Sequence, residues 1–137
     1  MNSEVKLVIF EQKKSLKYLL DLLEEQYRLI LDKDIIGLEK ITNQIEEAGR
    51  NIATIEINRR KIIKEEDFKV FIDNIEDQHV KDVYREMKNI LKSLELQNNS
   101  NNTLLKKKLL FTTKMINMIK PSKGIGTYNS YGKVWRD

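Results

Sequence analysis

Few side chains in this chain could do chemistry, and their spacing argues against most of what they might attempt. His79 is the sole histidine and there is no cysteine. A transition-metal site would have no thiolate and a single imidazole, and neither an HExxH pattern nor a paired His/Asp cluster is present. Glu24-Glu25 and Glu46-Glu47 fall where two facing helices could set them opposite each other, as in a di-metal bundle. Such sites also need a histidine at a helical offset from a glutamate, and none is available. Lys123-Gly124-Ile125-Gly126-Thr127 lacks the preceding strand and the closing Gly-Lys-Ser/Thr of a phosphate-binding loop. Acid–base catalysis needs converging groups of tuned pKa, and the sequence offers no such set. The expectation is no enzyme, no metal and no organic cofactor.

Function must then reside in charge and apolar surface. At 137 residues the chain suits one domain that buries a core without staples. The apolar run Leu7 to Phe10 is too short for a signal-peptide core and is flanked by Glu4 and Glu11. Nothing approaches the roughly 20 apolar residues that cross a bilayer. A cytoplasmic protein without stable membrane insertion is expected. The net charge of +4 hides an asymmetry: residues 1–102 hold 17 Lys/Arg against 20 Asp/Glu, and residues 103–137 hold 8 against one. Such a basic C-terminal stretch is either a solvated lysine face or a means of steering an acidic peptide. Lys106-Lys107-Lys108 is short and has no aromatic interleaving, so no nucleic-acid partner is expected.

The elements that must present these surfaces are helices. Between Met1 and Lys120 there are two glycines, Gly37 and Gly49, and no proline, whereas Pro121, Gly124, Gly126 and Gly132 crowd the end. A first helix is expected from Ser3 or Glu4 to Leu31, with Ser3 as N-cap. Its stripe is Val5, Ile9, Gln12, Leu16, Leu19, Leu23, Gln26 and Ile30, broadened by Leu20 and Tyr27. Asp32-Lys33-Asp34 makes the corner, with Asp34 capping a second helix over 34–63. There Leu38, Ile41, Ile45, Ala48, Ile52 and Ile55 repeat at three and four, and Arg59 and Ile62 keep the count. Gly49 beside Ala48 is read as a point of close helix approach, and Arg59-Arg60-Lys61 as facing solvent and Glu65, Glu66 and Asp67.

Phe68, Val70, Phe71, Ile72 and Ile75 suit a short crossover over 66–76, and Asp77 is placed to cap a last helix over 78–119. Its stripe is read as Val80, Tyr84, Met87, Leu91, Leu94, Asn98, Asn101, Leu105, Leu109, Thr112, Ile116 and Ile119. At Gln97 to Asn102 the helix either runs through, with Asn98 and Asn101 facing inward, or breaks and restarts at Thr103. The preserved phase favours continuity. The expected fold is all-α: an antiparallel bundle of three long helices, built as a helical hairpin plus an over-long C-terminal helix, with a short crossover and an irregular tail. Residues 1–120 form the bundle domain and 121–137 the tail. Tail residues Ile125, Tyr128, Tyr131, Val134 and Trp135 are too apolar for pure disorder. They either dock on their own bundle or take part in partner binding.

Four stretches resemble the FlgN family of flagellar export chaperones. Leu19 to Tyr27 followed by Leu31-Asp32-Lys33-Asp34 looks like the family's opening helix and acidic corner. Leu38-Glu39-Lys40-Ile41 through Ile55 to Arg60 looks like its second helix. Asn98, Asn101 and Leu104-Leu105 resemble its Asn-rich turn before a paired Leu, although Lys107-Lys108 departs from the milder residues expected next. Gly126-Thr127-Tyr128-Asn129-Ser130-Tyr131-Gly132 resembles its C-terminal signature, with Tyr131 bulky for its place.

The resemblance implies a cytoplasmic chaperone of flagellar type III secretion. Such a protein binds the C-terminal helical segments of the hook-associated (hook–filament junction) proteins, prevents premature assembly and delivers them to the export gate or ATPase complex. An over-long last helix suits helix-in-groove capture of such segments. The expected client-binding residues are Leu105, Leu109, Met115, Met118, Ile119, Tyr128, Tyr131 and Trp135. The alternative is a non-flagellar coiled-coil adaptor or another secretion-module interaction protein. A homo-oligomer or an exchange of helices between copies is compatible with either.

Overall fold

The computed structural model describes the backbone of residues 2–119, with the side chains of residues 3–107 and of Met118. It contains four helices: α1 (Asn2–Asp32), α2 (Ile35–Ile62), α3 (Glu65–Asn74) and α4 (Gln78–Ile119). These form an all-α bundle. Helix α4 is unbroken through residues 97–102, so the Asn-rich stretch does not end it. Packing divides the chain into two units, one of residues 1–101 and one that begins at Asn102.

The first unit is held by seven-residue periodicity. On α1 the stripe falls as its spacing predicts, with Val5, Ile9, Leu16, Leu23 and Ile30 buried. Tyr27, expected to broaden it, is 37% exposed. A second series one heptad apart, Val8, Ser15, Leu22 and Leu29, is also buried. Leu22 and Leu29 pack with Ile41 and Ala48 of α2. Gln12 meets Glu56 near one end of the pair, and Leu29 lies against Gly37 near the other. Position therefore rises along α1 as it falls along α2.

The corner between them is economical. Asp34 N–H donates to Leu29 O at 3.1 Å and Lys33 N–H to Ile30 O at 3.2 Å, which closes α1 with a Schellman motif. Lys33 supplies the left-handed residue at φ 57°, a conformation usually left to glycine. The Asp34 side chain then accepts from Gly37 N–H at 2.8 Å and caps α2. A Cβ on Gly37 would fall 2.7 Å from Asp34 Oδ2 and 2.9 Å from Leu29 Cδ2, so the close approach in this chain is here. Gly49 is not such a point, since a Cβ there would meet nothing within 4 Å. Ser3 is a correction of the same kind: α1 already includes Asn2, and Ser3 lies inside it.

Helix α3 carries Glu65, Glu66 and Asp67 in its first turn, where the helix dipole favours acids. Phe68 and Ile72 are buried with Val5, Ile9, Val80 and Val83, while Val70 is 57% exposed. Asp77 caps α4, its Oδ1 accepting from His79 and Val80 N–H at 3.0 and 3.3 Å. His79 itself is exposed, its ring 5.5 Å from that of Phe10. Helix α4 packs on α1 through Met87 and Leu94 against Leu16, Leu20 and Leu23. Lys6–Asp77 and Lys13–Glu86 ion pairs run along the same contact.

The inward seam of α4 differs from the expected one. Val80, Val83, Met87, Leu94 and Asn101 are buried, with Ile90 and Gln97 half-buried between them. Leu91 and Asn98 face solvent, whereas Tyr84 is half-buried and packs against two core clusters, as expected. The reading was one residue off at two places because the inward side chain there has an equally suitable neighbour. Asn101 fixes the phase: it is fully buried and its Nδ2 donates to Leu23 O and Gln26 Oε1, both at 2.8 Å. Gln97 Nε2 donates in turn to Asn101 Oδ1 at 3.0 Å.

Candidate functional site

Two regions compete for function, and they are built differently. The first is the expected client surface on the later part of α4 and beyond. Leu105 is half-buried, and Met118 is 84% exposed on the same helix, roughly 20 Å further along at about 1.5 Å per residue. Lys106 and Lys107 are exposed beside Leu105. Leu109, Met115 and Ile119 lie on α4, but their side chains fall outside the described residues, and Tyr128, Tyr131 and Trp135 lie outside them altogether.

The second region lies inside the first unit and centres on Arg59. The heptad count on α2 carries this residue onto the buried seam, and its side chain is only 4% exposed. A guanidinium so placed must be paired, because an isolated buried charge is very costly. Glu56, one helical turn earlier, accepts from Arg59 Nη2 at 2.8 Å. Glu65 at the start of α3 accepts from the same nitrogen at 2.8 Å, and the Phe68 ring lies 4.6 Å beneath the guanidinium carbon. Arg60 binds Glu56 from the solvent side at 2.9 Å. Gln12 of α1 completes the group by donating to Glu56 Oε1 at 2.7 Å. Arg59 thus ties three helices together, where the sequence suggested a solvated cluster with Glu65, Glu66 and Asp67.

The electrostatics follow from these contacts. Burial alone would push the Glu56 carboxyl up, but hydrogen bonds and charge from Arg59 and Arg60 outweigh it and hold the pKa below the ordinary value. Burial works against the Arg59 charge as well, and Glu56 and Glu65 overcome it, leaving the guanidinium pKa raised. Nearer the start of α1, the hydrogen bond from Lys6 and the backbone N–H of Val80 lower the Asp77 pKa.

Beside Arg59 is a cavity of about 380 Å³. Helix α1 contributes Gln12, Ser15 and Leu16, α2 contributes Ile52 and Glu56, and α4 contributes Tyr84, Met87, Lys88 and Leu91 to a space that stays partly open to solvent. Its walls are mainly apolar, with a few polar groups at fixed places. Two buried atoms in that wall, Arg59 Nη1 and Gln12 Oε1, find no hydrogen-bond partner among the described residues. The sequence signal for this site was the presence of Gln12 and Arg59 on otherwise apolar seams. Among the described residues no cluster of His, Asp or Glu is gathered as a metal would require. No helix of the described residues is long and apolar enough to cross a membrane.

The described residues form an all-α bundle whose buried polar groups tie its helices together. The chain belongs to the FlgN protein family, which it matches over residues 1–134. Membership supports its recognition as a flagellar export chaperone, a non-catalytic class. Comparison with curated proteins and with solved structures finds no match.

Proposed function

We propose that this chain is a cytoplasmic export chaperone for the hook–filament junction proteins. It binds their C-terminal helical segments, keeps them from assembling early and delivers them to the flagellar type III export gate. Family membership over nearly the whole chain is the observation that carries this reading. In it, α1 and α2 form an antiparallel hairpin, residues 1–120 the bundle and residues 121–137 a tail that helps grip the client. The capture surface is Leu105, Leu109, Met115, Met118 and Ile119 with Tyr128, Tyr131 and Trp135. A large apolar side chain left 84% exposed, as Met118 is, supports that choice. Unbranched methionine also adapts to more than one client helix.

The test is calorimetric titration with the C-terminal peptide of a junction protein. Replacing both Leu109 and Met115 with Asp should preserve helicity and weaken binding by about 2 kcal/mol or more, the scale of a hot-spot loss. Removing residues 121–137 should weaken capture and leave the melting transition in place. Unchanged affinity in both variants would move the binding surface off this region.

A further inference from the structure

Helix α1 packs on α2 through Leu22 and Leu29 and on α4 through Leu16, Leu20 and Leu23, so its two partners occupy different faces of it. The cavity of about 380 Å³ lies where the three helices meet. The space between α2 and α4 is only partly filled. Leu91, in the cavity wall, is 47% exposed, and Ile52 in the same wall is half-buried. A Cβ on Gly49, three residues before Ile52, would meet nothing within 4 Å. An open apolar groove among three long helices is the place that a fourth helix takes in a four-helix bundle. The charges at this groove have a sign. Lys88 stands in the wall with its ammonium 5.2 Å from the Tyr84 ring centre, and exposed Lys92 follows one turn later. Neither lysine belongs to an ion pair among the described residues, where the pairs of α4 use Asp82, Arg85 and Glu86. The carboxylate in the wall, Glu56, is already taken by Arg59, Arg60 and Gln12. Exposed Glu95 comes only one turn beyond Leu91.

We propose that the groove between α2 and α4 docks an amphipathic helix of a partner protein, one whose apolar stripe is bordered by Asp or Glu where it meets Lys88 and Lys92. Large apolar side chains at spacings of three and four would enter beside Ile52, Met87 and Leu91, the usual anchoring of a helix in a groove. The bordering carboxylates steer the approach and fix which way the helix lies, more than they add affinity. Charge argues against the chain's own last stretch as the occupant, since residues 103–137 hold 8 Lys/Arg against one Asp. The groove contains none of the residues assigned above to client capture and does not depend on that assignment.

The experiment titrates the full chain with two stapled peptides about four helical turns long, stapled because free peptides of that length are marginal helices. Both carry Leu at spacings of three and four; the flanking positions are Glu in one and Lys in the other. Methyl NMR should show saturable shifts at Ile52, Met87 and Leu91 with the Glu peptide. The Lys peptide should bind about fivefold more weakly at low salt, the size expected when an exposed ion pair becomes a like-charge contact. Lys88→Glu should reverse that preference. Leu91→Glu should weaken both peptides at least about tenfold, the scale of a lost interface anchor. Leu96→Glu, at a 68% exposed position of α4 outside the cavity wall, should leave binding unchanged. All three positions are exposed, and an unaltered thermal melt checks that each variant folds. Absence of saturable shifts, equal affinity for the two peptides, or an unchanged preference in Lys88→Glu would overturn the proposal. A concentration-dependent dimer in sedimentation that Leu91→Glu dissolves would overturn it as well, because the groove would then belong to a second copy of the chain.

Discussion

At the residue scale, two polar side chains on apolar seams set the specificity of the first unit. Asn101 satisfies a backbone carbonyl and a side-chain carbonyl of α1 at once, and any other phase of α4 would leave it unpaired. Asn101→Ala should cost about 1–3 kcal/mol in urea unfolding, because the Leu23 carbonyl loses its buried partner and half-buried Gln26 and Gln97 lose theirs. A loss within experimental error would mean that water replaces the amide there. Glu56 leads to a prediction about pH. Its folded pKa lies below its ordinary 4.5, so its contribution to stability is complete above that pH and is lost as the pH falls through the folded value. Stability measured from about pH 5 to 3 should fall less steeply in Glu56→Gln than in the parent chain. Parallel slopes would remove Glu56 from the acid response. The contact of Arg59 with Glu65 was legible beforehand; the burial of its guanidinium, its bond to Glu56 and the partners of Asn101 on α1 were not. Arg59 and Asn101 were correctly counted onto seams, but charge or amide character alone suggests solvent.

At the element scale, the helices were legible because breakers are absent and apolar spacing is regular, and the caps at Asp34 and Asp77 followed from residue type. What eluded the sequence was the phase of α4, where Ile90 and Leu91, and Gln97 and Asn98, are adjacent and interchangeable in pattern. The role of glycine was misplaced too, since spacing does not reveal what lies above a Cα. The two glycines should respond oppositely to the same substitution. Gly49→Ala should stabilise by about 1 kcal/mol, the ordinary helix-propensity gain with open space above it. Gly37→Ala should destabilise, because the new methyl meets the Asp34 cap and Leu29. Lys33→Gly should add a net 0.5–1 kcal/mol or about that, by relieving a left-handed lysine. Thermal melts of the three variants read all of this, and a gain for Gly37→Ala would refute the account of the corner.

At the scale of the whole molecule, the seams share one period. Val5, Ile9, Gln12, Leu16, Leu19, Leu23, Gln26 and Ile30 on α1 are matched by Leu38 to Ile62 on α2 and Val80 to Asn101 on α4, all in steps of three and four. The period has a consequence for how the chain tolerates changes of length. Removing one residue from the middle of α1 turns everything beyond it by about 100° and carries the later seam out of the core. Removing seven turns it by only about 20°. Deleting one matched heptad from each of α1, α2 and α4 should therefore give a shorter protein with a cooperative melt, whereas deleting Lys14 alone should abolish it. A family built on this plan can change length cheaply only in steps that nearly restore the phase, about seven or eleven residues, and its gaps should fall in register across all three helices.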